Sequence, residues 1–241
     1  LPIVDATLEL RFLTELPGPV MVGFTYEKLK HLFPRFSQLQ TFPVPEEALK
    51  LNLALTYQAQ ARMDSENFAV LVGPKVFAVG ISGPYTAWAS VSKVFSDAIA
   101  GFLEVDRTIV LERFGLRYSN FFPGNVLSKL NLGVVIADGT ITGEDTYLRA
   151  TLLAEPFKMQ IQIVTDSKIK VNDPRLNIDP DLAGTLLILD CYQDHTMLEQ
   201  DFLHKLHDNL ETAHAKDKQL FFDLLRDEFL KTLNPKYEDA S

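Results

Sequence analysis

Arg113 and Arg117 lie in the run Val110–Asn120, where Phe114, Leu116 and Tyr118 alternate with Arg113, Gly115 and Arg117. A strand turns successive side chains to opposite faces, so both guanidinium groups fall on one side. Guanidinium forks grip carboxylates and phosphates through paired hydrogen bonds, which suits a small anionic ligand or an enzyme acting on one. Glu9 and Arg11 occupy the polar side of a second alternating run, residues 4–12, whose other side carries Val4, Ala6, Leu8, Leu10 and Phe12. If the two runs belong to one sheet and bury their apolar sides together, Glu9, Arg11, Arg113 and Arg117 share a charged floor. The competing expectation is that Glu9 or Glu112 pairs with these arginines across strands, as solvated ion pairs of minor structural weight.

Other chemistry is poorly represented. The chain has no Gly-x-x-x-x-Gly-Lys-Ser/Thr run and no Gly-x-Gly-x-x-Gly after a strand, so phosphate-cradling loops of those kinds are not expected. Ser90-Val91-Ser92-Lys93 matches a short nucleophile pattern, but the later Lys-Thr-Gly element is missing and the segment belongs to an apolar-striped helix. Asp138, Thr140, Thr142 and Glu144 alternate oxygen ligands as a calcium loop does, yet Arg149 stands where the closing carboxylate belongs. Asp179-Pro180-Asp181 lacks a third ligand. His207, Glu211 and His214 fall on one line of a helix, but the two imidazoles are about 10 Å apart along its axis, and the flank of an exposed helix accounts for them. We expect no catalytic residue, no metal and no cofactor.

The elements that must position the arginines follow from periodicity. The alternating run 4–12 is the first strand, and after a breaker at Leu16–Pro19 the residues Tyr26, Leu29, Leu32 and Phe33 mark a short helix ending at Pro34. Runs 51–62, 68–72 and 75–82 read as a strand meander. The segment 85–103 is a helix, with Trp88, Val91, Phe95, Ile99 and Phe102 in one stripe. Strand-like runs follow at 108–122, 131–136, 147–154, 157–164 and 185–192, and the last 45 residues are helical, up to Asn234-Pro235. The fold class expected is α+β: a single unit, 1–241, made of two halves, 1–122 and 123–241, on antiparallel sheet with packed helices and C-terminal helices, with a topological duplication as one way to relate the halves.

The chain of 241 residues carries 23 Lys+Arg against 32 Asp+Glu, a formal net charge of −9, which argues against nucleic acid or anionic membrane as a partner. Residues 1–120 hold 11 basic and 12 acidic groups and residues 121–241 hold 12 and 20, so the acidity belongs to the second half. Within the span 173–211, Asp179, Asp181, Asp194 and Glu199 are candidates for a docking face toward a basic protein partner, against the plainer expectation of a solvated surface. The one cysteine, Cys191, sits in an apolar run, reads as a core position and fits a reducing compartment. No apolar stretch approaches the about 18 residues of a membrane span, and no signal-peptide pattern opens the chain. A cytoplasmic location is expected. The first residue is Leu1, not Met, so residues could be missing ahead of it.

Three segments carry a family resemblance: Pro2–Phe12, Arg113–Asn120, and the C-terminal stretch from Leu206-His207 through Phe221-Phe222 to Leu225–Glu228. Together with the Val72-Gly73-Pro74-Lys75-Val76 hairpin they resemble an uncharacterised, sporadically distributed prokaryotic family. Its members begin with a Pro-Ile-Val-Glu-Ala-like strand, carry a Gly-Leu-Arg-Tyr-Ile-Asn-like strand mid-chain and end in a helix with a Leu-Thr-Asp-like run. Asp5 replaces the usual Glu, and Arg226-Asp227 stands where Thr-Asp is usual. The resemblance implies a self-contained unit and supplies no activity.

Two functional expectations follow. The first is a non-enzymatic acidic interaction protein, a homodimer or the partner of another protein, with antitoxin- or immunity-like neutralisation of a basic effector as one form of it. The alternative is a small anionic-ligand binder or enzyme using the arginine-lined face.

Overall fold

The computed structural model describes residues 2–40, 48, 53–133, 135–136, 139–140, 145–168 and 183–234. The fold is α+β, as expected, with helices packed on one face of a large antiparallel sheet. In sheet order the strands are β2 (Arg35–Gln38), β3 (Ala61–Asp64), β4 (Phe68–Val72), β5 (Val76–Ile81), β1 (Ile3–Leu13), β6 (Val110–Pro123), β11 (Ala183–Leu198), β10 (Phe157–Lys168) and β9 (Tyr147–Ala154). A separate ribbon pairs β7 (Val135–Ile136) with β8 (Gly139–Thr140). The β6–β11 pairing joins strands of both sequence halves into one continuous sheet.

Period-two patterning forms the central strands. Ala6, Leu8, Leu10 and Phe12 of β1 and Phe114, Leu116 and Tyr118 of β6 turn to the same side, in the register Leu8 to Leu116 and Leu10 to Phe114, and all are buried. Helix α2 (Trp88–Leu103) lays Phe95, Ile99 and Phe102 on that side, where Phe102 stacks on Phe77 at 4.3 Å between ring centroids. Helix α3 (Glu199–Leu224) covers the β6–β11 region with Phe202, Leu206, Leu210 and Ala213, and Phe202 meets Phe114. A satellite core around Phe122, Ile163, Leu187 and Leu225 underlies α4 (Asp227–Thr232), where Phe229 packs on Phe122. Among the described residues, no helix is long and apolar enough to cross a membrane.

The structure corrects several sequence expectations. The first helix, α1, is Gly18–Leu29, so it begins inside the supposed breaker. Pro17 is its N-cap and Pro19 lies in its first turn, where a missing N–H costs nothing and a fixed φ suits the helix. The run 51–62 is not one strand: Leu53–Thr56 is a 3₁₀ turn and β3 begins only at Ala61. Strand β2 was unforeseen because all four of its residues are exposed and carry no apolar alternation. Trp88 is only partly buried: it packs at the margin of the core that holds Phe95 and stacks on His214 of α3. The calcium-like segment 138–144 lies mostly outside the described residues.

Candidate functional site

The face of the sheet opposite the helices carries the predicted floor. Strands β1 and β6 are direct antiparallel neighbours, with Arg11 opposite Arg113, Glu9 opposite Gly115 and Thr7 opposite Arg117. Two arginines facing each other would repel, and Glu9 resolves this. Its Oε1 accepts from Arg11 Nε at 2.8 Å and from Arg113 Nη1 at 3.0 Å. On the other side β11 places Asp194 opposite Arg113 and Asp190 opposite Arg117. Arg113 Nη2 donates to Asp190 Oδ2 at 2.7 Å, and its Nε stands 3.8 Å from Asp194 Oδ1.

Aromatic rings cover parts of this network. The Arg113 guanidinium carbon is 4.7 Å from the Tyr192 ring centroid, and that of Arg11 is 4.4 Å from the ring of Tyr57. The Arg113 side chain is 10% exposed, against 47% for Arg117, whose ion pair with Asp5 is long at 3.7 Å. Burial raises the Asp190 carboxyl above the ordinary aspartate value, with Arg113 and Arg117 opposing it; burial likewise raises Asp5, opposed by Arg117. All four sequence-predicted residues therefore lie on one face, but with unequal roles. Arg113 is a nearly enclosed hub and Arg117 an exposed flank.

The centre of this arrangement, Arg113, is held by the protein's own anions. Each of the three nitrogens of Arg113 faces a carboxylate, two of them within hydrogen-bond distance, whereas Arg117 has one long contact to Asp5. A shallow recess beside Arg113, where β11 changes register between Asp194 and Met197, is lined by Leu111, Arg113, Phe114, Gln193, Met197 and Phe202, without Glu9, Arg11 or Arg117.

The acidic candidates fare differently. Asp179 and Asp181 lie outside the described residues. Asp194 is half-exposed and pairs with Lys158 at 3.3 Å. Glu199 departs from the expected exposed face: its side chain is 2% exposed and meets Arg107 Nη1 at 2.5 Å. It opens α3, where a carboxylate complements the positive end of the helix dipole. Of the other acids in that span, Asp190 and Glu211 are also engaged, while Asp201 and Asp208 are exposed.

A second polar cluster was missed. His207, Glu211 and His214 do not form one exposed flank: His207 is exposed, but Glu211 and His214 turn toward α2 and β6. Trp88 stacks on His214 with centroids 4.1 Å apart and donates its Nε1–H to both oxygens of Glu211 at 2.9 and 3.0 Å. The Tyr118 hydroxyl lies 2.9 Å from His214 Nδ1 and also bonds Tyr85. Burial pushes His214 down to about 4 and Tyr118 far above the ordinary phenol value. These contacts tie α2 and α3 to each other and to β6. One turn on, Asp217 is buried with both carboxylate oxygens unpartnered, and burial, followed by Asp190, holds its carboxyl well above the usual range. Cys191 is a buried free thiol, raised by burial first and by Asp217 second. The Glu211/His214 spacing was the available signal, but it lacked its partners Trp88 and Tyr118, which are remote in the chain.

Among the described residues, no group of three or more His, Cys, Asp or Glu side chains could hold a metal ion. A scan of known protein families matches none of them to this chain, and a search of curated proteins returns no match.

Proposed function

We propose that this chain is a non-catalytic interaction protein that works by adding a polypeptide strand to the β9 edge of its sheet, beyond which no described residue pairs. The observation that carries this reading is β9, the last strand in sheet order, where Leu153 is 77% exposed, Tyr147 63% and Leu152 45%. Exposed sheet edges are templates for pairing, and proteins that leave them unused blunt them with Pro, Lys or bulges. Between Tyr147 and Ala154 there is no proline, no lysine and no register shift, and Arg149 is the single charge. Backbone groups on such an edge supply affinity and the alternate side chains supply selectivity. The buried lone thiol Cys191 fits a reducing compartment, and we place the protein in the cytoplasm.

The anionic-ligand alternative is weakened at Arg113, which the protein's own carboxylates hold, and is left with the half-exposed Arg117. The acidic docking face is narrowed too, since Glu199 and Asp190 are engaged within the fold. Crosslinking in cells, with the crosslinked polypeptides identified by mass spectrometry, tests the reading. Leu153→Lys should abolish the crosslinks, to this chain or any other, without lowering the melting temperature. A crosslinking profile indifferent to Leu153→Lys would sink it.

A further inference from the structure

Resting on the edge-pairing reading above, we infer that the strand added to β9 is β9 of a second copy, antiparallel about a twofold axis at Ala150. The backbone directions set the geometry. The Thr165 N–H donates to the Thr146 carbonyl at 3.0 Å, and from there β9 and β10 stay in unbroken antiparallel register. Even-numbered residues of β9 therefore turn their backbone groups toward β10. Tyr147, Arg149, Thr151 and Leu153 turn theirs to the outer edge, where no described residue pairs.

Two copies can bond only where outward residues face outward residues, which restricts the register to steps of two. Centring on Ala150 engages all four outward residues of each copy; centring on Arg149 or Thr151 engages three. The Arg149 centre also sets Arg149 against itself, whereas the Ala150 centre sets it against Thr151.

The same register brings Tyr147 of each copy opposite Leu153 of the other. These are the two most exposed large apolar side chains among the described residues, and they form an aromatic–aliphatic cross-strand pair on each side of the axis. On the helix-bearing face, Leu148 meets Leu152 and Ala150 meets Ala150. An isologous contact requires one patch that complements itself, and β9 meets that condition in apolar pattern and hydrogen bonding. The charges on and flanking β9 among the described residues are Arg149 within the strand and the exposed Asp145 and Glu155 beyond its ends, which this register brings toward each other at the margins of the ladder. A strand pair alone covers less than the roughly 800 Å² per partner of a standard interface, so the dimer should be reversible and concentration-dependent.

Sedimentation of the full chain over a broad concentration series should show the 27.1 kDa mass doubling, and Leu153→Lys should abolish the doubling with an unchanged melting temperature. Ala150→Cys should give a covalent dimer on mild oxidation, because a non-hydrogen-bonded pair brings the two Cα atoms within disulfide reach. Thr151→Cys should not, since in this register the two copies of residue 151 are displaced along the strands. A wild type that stays monomeric while Ala150→Cys forms no dimer overturns the inference, as does a dimer formed by Thr151→Cys in place of Ala150→Cys. If self-pairing fails but Leu153→Lys still removes crosslinks in cells, the edge belongs to a different chain, so the two failures are distinguishable.

Discussion

The guanidinium of Arg113 lies over Gly115: a Cβ at that glycine would stand 2.5 Å from Nη1 and 2.9 Å from the guanidinium carbon. Arginine tips usually swing aside, but this one is pinned by Glu9 and Asp190. Gly115→Ala should therefore cost about 1–3 kcal/mol, as overpacking does. Urea denaturation checks this, and a midpoint equal to wild type would show that the network yields freely.

The two arginines should separate sharply. Arg113→Ala removes the hydrogen-bonded partner of the mostly buried Asp190 and leaves Glu9 with Arg11 alone, and should cost about 3 kcal/mol. Arg117→Ala removes a half-exposed side chain with one long ion pair and should change stability by less than about 1 kcal/mol. Equal losses in the two variants would contradict the assignment of Arg113 as the hub.

His214 should make the fold acid-sensitive. Its folded pKa, near 4, lies below the ordinary 6.5, so the unfolded chain takes up a proton that the folded chain refuses. The stability it contributes is complete above pH 6.5 and drains away as the pH falls toward 4. His214→Phe keeps a ring against Trp88 and removes the titration. The stability difference between wild type and His214→Phe should shift against wild type across that window, and a constant difference would refute the claim.

Asp217 should behave in the opposite sense. Its folded carboxyl is raised, so its favourable state is the protonated one, present below the ordinary 3.8 and lost as the pH rises through the folded value. Asp217→Asn should therefore stabilise the protein at neutral pH, by about 1 kcal/mol or more, with the gain vanishing in acid. Denaturation at the two pH values decides this, and destabilisation at neutrality would point to an ionised, paired aspartate.

The charged face was legible because β1 and β6 both alternate strictly, and register then dictates which side every residue takes. What the alternation could not rank was Arg113 against Arg117, because enclosure of Arg113 depends on the space above Gly115 and on β11, which arrives about 70 residues later in the chain. The start of α1 was hidden by Pro17-Gly18-Pro19, whose residue types serve a turn and a helix entrance equally well. The Trp88–His214 stack joins two segments with no shared periodicity, so each half alone looked like an ordinary helix flank. The β9 edge looked like any strand from its pattern, since only sheet order shows that nothing among the described residues pairs beyond it.

The position of β6 bears on how the chain is made. Strands β1 to β6 are all complete by Pro123 and form a contiguous block of the sheet, β2-β3-β4-β5-β1-β6, in which β6 is outermost. On the ribosome that edge waits, unpaired, until Ala183–Leu198 has been synthesised, and the helix that covers Leu116 and Tyr118 comes later still. In that interval Arg113 has Glu9 but neither Asp190 nor Asp194, and a long strand edge is open to mispairing and to holdase chaperones. The centre of the finished sheet is the growing margin of the nascent one.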